Sequence, residues 1–144
     1  MRVEESFQVR SDPETLFDYI TDPERLPEWQ TTKVSVEQIT PGEIGQGTRL
    51  RERTKGPRGE FDQVTEFTVF DRPRKLHVTI VEGPYPVNGT WTLEPEGDGT
   101  RVDFVAEGEL GGLARVAQPV LARLIKRQFA DYHRRLKRNV EELA

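Results

Sequence analysis

The 144-residue chain carries a formal net charge of -4 and no cysteine. An acidic balance argues against a dedicated nucleic-acid binder, whose domain is basic overall. The missing cysteine excludes disulfides, thiolate catalysis and cysteine-ligated metals. A chain of this length is expected to form one domain, residues 1–144, around one core. Met1 to Glu5 has neither the basic region nor the apolar run of a signal peptide, and no apolar stretch approaches membrane-spanning length. The expectation is a cytoplasmic protein without integral membrane association.

Val3, Phe7 and Val9 alternate with Arg2, Gln8 and Arg10, the period of a strand with one buried face. Glu5 falls on the inner parity, near an open end. Ser11-Asp12-Pro13-Glu14 reads as a helix start, either a Ser11/Glu14 capping box or an Asp12 cap with Pro13 at the first helical position. Leu16, Phe17 and Ile20 supply the inward face. A second start at Thr21-Asp22-Pro23-Glu24 leads through Leu26 and Pro27 to Trp29, giving two short tandem helices able to close one end of a curved sheet.

Strand signals then continue to Gly108. Lys33 to Thr40 is followed by a glycine-rich turn and by Thr48 to Lys55. There Arg49, Arg51, Arg53 and Lys55 share a face, so Thr48, Leu50, Glu52 and Thr54 point inward. Gly56-Pro57-Arg58-Gly59 turns the chain into Glu60 to Phe70, where Phe61, Gln63, Thr65, Phe67 and Val69 share one parity. Leu76, Val78 and Ile80 mark the next strand, with His77 on its other face. Val87, Gly89, Trp91 and Leu93 follow in phase, and after the Glu96-Gly97-Asp98-Gly99 turn come Val102, Phe104 and Ala106. Short connections imply a consecutive antiparallel meander.

From Gly111 to Ala144 apolar residues recur at steps of three and four, including Leu113, Val116, Val120, Leu121, Leu124, Ile125, Phe129, Tyr132, Leu136, Val140 and Leu143. This is one long amphipathic helix, kinked or restarted at Pro119. From Pro119 onward it spans about 37 Å, against a diameter of roughly 37 Å for a compact chain of this length. Arg115, Arg123, Lys126, Arg127, Arg134, Arg135, Lys137 and Arg138 crowd its other faces. They read as a solvated surface suited to the helix dipole, or as a docking surface for an acidic partner or membrane.

Seven strands make a flat sheet roughly 30 Å wide, whereas a helix is about 10–12 Å across. One helix cannot cover that sheet, so the sheet must curl around it, with bulges expected near Gly56 or Gly59. The space left beside the helix is filled by large side chains or by a ligand. Inner parity carries Trp91, Phe61, Phe67 and Phe104 but also Glu52, Gln63 and Thr65. Polar groups on an apolar face are costly unless paired, which points to a wet pocket.

The run from Ser11 to Trp29, Gly45-x-Gly47-Thr48, Val64-Thr65-Glu66-Phe67 before Asp71-Arg72-Pro73-Arg74, and Gly99-Thr100-Arg101-Val102 together resemble the START-like (SRPBCC) superfamily, close to its polyketide cyclase/dehydrase-like group. The resemblance covers essentially the whole chain. It implies an α+β helix-grip fold, a curved seven-stranded antiparallel sheet wrapped around the C-terminal helix with two short helices after the first strand. It further implies a small hydrophobic or lipid-like ligand between sheet and helix, with cyclisation or dehydration of polyketides in some members. Fold alone does not decide among these. The expected lining is Trp29, Leu50, Glu52, Phe61, Gln63, Phe67, Trp91, Phe104, Val120 and Leu124.

His77 and His133 lack the spacing of a ligand pair, so no metal is expected, and His133, beside Arg134 and Arg135, is expected on the surface. Ser6, Ser11 and Ser35 stand outside any nucleophile-elbow setting. The glycines at 42, 45 and 47 lead into a strand rather than a helix, which disfavours phosphate cradling. General acid/base chemistry remains, with Glu52 as base and Tyr85 or His77 as proton donor. Three readings follow in order: a carrier or sensor of a small hydrophobic molecule, a polyketide cyclase or dehydratase, and a co-chaperone-like interaction module with a closed, dry core. No cofactor is needed for any of them, and a monomer or homodimer is expected.

Overall fold

The computed structural model describes residues 1–109 and 118–143. The predicted helix approach from Gly111 through Val116 lies outside the described residues. Seven strands, β1 (Arg2–Val9), β2 (Lys33–Gln38), β3 (Arg49–Gly56), β4 (Gly59–Asp71), β5 (Lys75–Glu82), β6 (Val87–Glu96) and β7 (Gly99–Gly108), form one antiparallel sheet in the order β1-β7-β6-β5-β4-β3-β2. From β2 to β7 it is the expected meander. β1 alone steps out of sequence to pair with β7, setting Val3 against Ala106 and Val9 against Thr100. The sheet edges are therefore β1 and β2, and the chain between them, α1 (Pro13–Thr21) and α2 (Leu26–Trp29), must pass from one edge to the other. The fold is the helix-grip arrangement.

Of the two caps open to α1, the Asp12 cap forms. Its carboxylate accepts from the Thr15 N–H at 2.9 Å, Pro13 occupies the first turn, and the same bond pulls the Asp12 carboxyl below its usual range. Asp22 is held extended ahead of Pro23, at φ -81° and ψ 114°, because a proline disfavours helical backbone in the residue before it. Asp22 therefore ends α1 instead of opening the next helix. Its carboxylate caps the Glu24 N–H at 3.0 Å, and α2 begins only at Leu26.

In β3, Leu50, Glu52 and Thr54 are buried while Arg49, Arg51, Arg53 and Lys55 face solvent, as the alternation requires. No register shift falls at the predicted bulge positions Gly56 and Gly59, which pair with each other. Register shifts fall between Lys33 and Ser35 on β2, and at Val64/Thr65 and Phe67/Val69 on the β4–β5 ladder. An extra residue flips the parity beyond it. Thus Phe70, rather than Val69, turns inward, meeting Phe17 edge-on at 5.1 Å between ring centroids.

The final helix, α3 (Gln118–Glu142), buries Tyr132, His133, Leu136 and Val140. In its first half Val120 is 57% and Leu124 55% exposed, while Leu121, Ile125 and Phe129 are half-buried. It packs on β1, α1 and α2. Asn139 Nδ2 donates to Tyr19 Oη at 3.1 Å and to the Glu28 carbonyl at 3.2 Å, and Glu141 accepts from the Arg10 N–H and Lys137 at 2.9 Å each. Arg134 and Arg135 pair with Asp131 on the helix itself, whereas Arg123, Lys126, Arg127 and Arg138 stand exposed.

Candidate functional site: a cavity between sheet and helix

α3 packs most extensively on β1, and the inward faces of β3 to β6 are not packed directly against it along their whole length. They bound a cavity of about 700 Å³. β3 contributes Leu50, Glu52 and Thr54; β4 contributes Phe61, Gln63, Thr65 and Phe67; β5 contributes Leu76, Val78 and Ile80; β6 contributes Val87, Gly89 and Trp91. Trp29 from α2 and Leu121, Leu124, Ile125, Phe129 and Tyr132 from α3 close the other side. Exposed lining residues, Lys55 and Pro57 on the β3–β4 hairpin, Pro84 to Pro86 before β6, and Gln128 on α3, mark the mouth.

Two glycines set the shape of the wall. A Cβ on Gly89 would stand 3.0 Å from the nearest Trp91 ring carbon, and one on Gly56 2.7 Å from the Phe61 ring. Their absence lets both rings lie along the wall. Trp91 meets Trp29 edge-on at 6.1 Å, and Phe61 meets Tyr85 at 5.1 Å near the mouth.

The polar residues of the wall mostly satisfy one another. Lys33 Nζ sits 2.7 Å from Glu52 Oε1, Gln63 Nε2 donates to the same oxygen at 2.7 Å, and Thr65 donates to Glu52 Oε2 at 3.0 Å. Glu52 is 3% exposed, and a charge so deep is tolerable only when paired and hydrogen-bonded. Thr32 and Tyr132 share a hydroxyl–hydroxyl bond. Burial pushes the Tyr132 phenol up to about 12; the Thr32 bond opposes that rise, and the Glu52 charge adds to it. Trp29 Nε1 and Thr54 Oγ1 are buried with no hydrogen-bond partner among the described residues.

Behind Trp91 lies a group of side chains that the sequence reading missed. Trp91 Nε1 donates to His133 Nε2 at 3.0 Å, and His133 Nδ1 bonds to Glu5. An indole only donates, so Nε2 must be the bare nitrogen and Nδ1 carries the proton to the carboxylate. Burial lowers the pKa of His133, against the opposing pull of Glu5. The expectation of a surface His133 is therefore corrected. It is 2% exposed, stacks on Phe7 at 4.6 Å, and holds Trp91 in place from behind.

A family model described as polyketide cyclase / dehydrase and lipid transport matches residues 1–141. The chain belongs to this polyketide cyclase/dehydrase and lipid transport family. No curated protein matches the sequence. Among solved structures, a Thermus thermophilus protein superposes with a TM-score of 0.81 at 21% identity, covering 100% of this chain and 99% of its own. A conserved protein from Geobacillus kaustophilus gives 0.80 at 22%, covering 99% and 96%. A START superfamily protein from Mycobacterium smegmatis gives 0.79 at 16%, covering 99% of each. At these identities the likenesses establish the fold.

In this member of the polyketide cyclase/dehydrase and lipid transport family, eight of the ten expected lining residues stand around the cavity: Trp29, Leu50, Glu52, Phe61, Gln63, Phe67, Trp91 and Leu124. Phe104 does not. It lies on β7 behind Trp91, at 4.8 Å from that ring and 4.6 Å from Phe129, under the part of the sheet that α3 does cover. Val120 is also off the wall, on the solvent-facing side of α3. Of the three acid/base candidates, Glu52 is deep and Tyr85 is at the mouth, 38% exposed. His77 is on the outer face of β5, bonded to Thr90 Oγ1 at 2.6 Å. Burial and the neighbouring Lys75 lower its pKa. Among the described residues no helix is long and apolar enough to cross a membrane.

Proposed function

We propose that this protein carries or senses a small hydrophobic molecule held between sheet and helix. The observation that supports the reading is a cavity of about 700 Å³, within the range of small-molecule sites, walled largely by Leu50, Phe61, Phe67, Val78, Ile80 and Trp91. Carriage is favoured over catalysis because, of the general acid/base candidates, only Glu52 and the mouth residue Tyr85 line the cavity, and Glu52 has its oxygens occupied. Glu52 is engaged by Lys33, Gln63 and Thr65, and His77 lies on the opposite face of the sheet from the cavity. A closed, dry core, which the co-chaperone-like reading requires, is at odds with a void of this size.

Native mass spectrometry of the purified chain, then solvent extraction and a panel of lipids and aromatic compounds, tests the reading. The expected result is a bound or acquired apolar molecule that Val78→Trp displaces by filling its space. Failure of the wild-type protein to take up any member of the panel refutes it.

A further inference from the structure

We infer that Glu5, His133 and Trp91 form an acid-sensitive latch on the cavity: protonation of His133 at Nε2 breaks its bond to the Trp91 indole and weakens the hold on the ligand. The inference rests on the proposed binding function and adds its regulation. The indole N–H donates to Nε2 at 3.0 Å, and Trp91 is part of the cavity wall. An indole only donates, and an imidazolium donates from both nitrogens. The bond therefore exists in one protonation state of His133 alone. A proton on Nε2 sets two N–H groups head to head, and the buried indole loses its acceptor.

Phe7 on β1, Trp29 on α2, Phe104 on β7 and Phe129 on α3 pack around the imidazole and carry no charge. Among the described residues, Glu5 on β1 is the charged group bonded to it. One turn further along α3, Lys137 is held by the Gln8 carbonyl and by Glu141, and the neighbouring Tyr132 phenol is bonded to Thr32. The Glu5 side chain is 25% exposed, so the buried imidazole reaches solvent through a carboxylate. Burial opposes protonation and outweighs the pull of Glu5, which puts the change below the ordinary histidine value of about 6.5. An apolar ligand takes the place of water on the cavity side of Trp91 and raises the cost of a charge behind that ring. Ligand and proton thus oppose one another, and by linkage each weakens the other by the same factor.

The test uses the full chain between about pH 7.5 and 5, with N-phenyl-1-naphthylamine as an apolar probe that stays uncharged over that range. Heteronuclear NMR follows the Trp91 indole N–H without ligand, and fluorescence titration gives the probe's affinity. The indole signal is expected to change in one step below about pH 6.5. Affinity should fall about threefold or more with the same midpoint. His133→Gln, whose side-chain oxygen accepts from the indole at every pH, should abolish both changes. Glu5→Gln, at the partly exposed end of the chain, should move both to lower pH. His77→Gln, on the outer face of β5, should leave both as they are. An indole signal indifferent to pH, or a step that survives His133→Gln, overturns the inference whether or not the probe binds. So does a step with unchanged affinity, and so does loss of far-UV circular dichroism over the same range, which makes the change an unfolding. No binding at pH 7.5 removes the proposed function and the inference with it; an intact Trp91 step then marks the failure as one of binding rather than of the latch.

Discussion

Lys33→Met leaves the Glu52 carboxylate, 3% exposed, with Gln63 and Thr65 as its remaining donors and no counter-charge. Removing one partner of a buried pair costs about 3–5 kcal/mol, because the survivor keeps its desolvation penalty and loses the attraction that offset it. For a chain of 144 residues that is a fall in Tm of roughly 10–15 °C. The reverse change, Glu52→Gln, should cost less. The Lys33 side chain is 10% exposed, and a lysine can turn its ammonium toward water along a flexible stem. The double variant Lys33→Met with Glu52→Gln should recover most of the loss, since no buried charge is left over. Urea unfolding of all four proteins gives the coupling energy of the pair directly. The reasoning fails if Lys33→Met costs under about 1 kcal/mol, the behaviour of a solvated surface pair, or if the double variant is no better than the single one.

Thr54→Val removes a buried hydroxyl without a partner and should stabilise the unliganded protein by about 1 kcal/mol, measured as a higher urea midpoint; a lower midpoint contradicts the orphan assignment. His133 has a folded-state pKa lowered by burial, so its contribution is fully present above the ordinary histidine value of about 6.5. That contribution is lost as pH falls from there toward the folded value. Wild-type stability between pH 7 and 5 should accordingly fall more steeply than that of His133→Gln, and parallel curves would refute the linkage. The Tyr132 phenol, raised to about 12, should escape ionisation in the folded protein while an ordinary tyrosine titrates near 10. Absorbance titration of Tyr132→Phe against wild type checks this, and stability should decline from pH 10 upward as the unfolded chain releases that proton first. Leu136→Ala, at a position with 0% exposure, should cost about 2–5 kcal/mol. Val120→Ala, on the solvent-facing side of the same helix, should fall within about 0.5 kcal/mol of wild type, and equal losses would contradict its exposure.

Strand parity carried much of the site. In β3, four cations on one face leave no choice about where Leu50, Glu52 and Thr54 point, and the same rule sends His77 outward from β5. It failed where the ladder slips, since nothing in the composition around Phe67 to Val69 announces the extra residue that brings Phe70 inward. Helical period likewise finds the apolar stripe of α3 but not how much of it is covered. At about 100° per residue Val120 lies roughly 160° round the helix from Leu136 and off the buried stripe, whereas Ile125 shares the face of Leu136 yet is only half-buried because it borders the cavity. Phe104 was misplaced for the complementary reason. It shares inner parity with Trp91, yet β7 lies under the helix and β6 extends beyond it, so one ring fills core and the other walls a void.

His133 is the instructive miss, because its signal was present. It stands four residues after Phe129, three before Leu136 and seven before Val140, squarely on the buried stripe, and the flanking Arg134 and Arg135 drew attention from that spacing. Glu5 stands on the inner parity of β1 in the same way. A lone titratable residue on a buried face reads as an exception to be placed near an edge. Two such residues on two faces that must pack together, a base on one and an acid on the other, are each the reason the other can be buried. The pair also places the Trp91 indole, through the bond that fixes the His133 tautomer. The cavity wall is therefore held on its core side by a polar chain, in which the bond at its nitrogen ties the Trp91 ring back to His133 and Glu5 on the side away from the void.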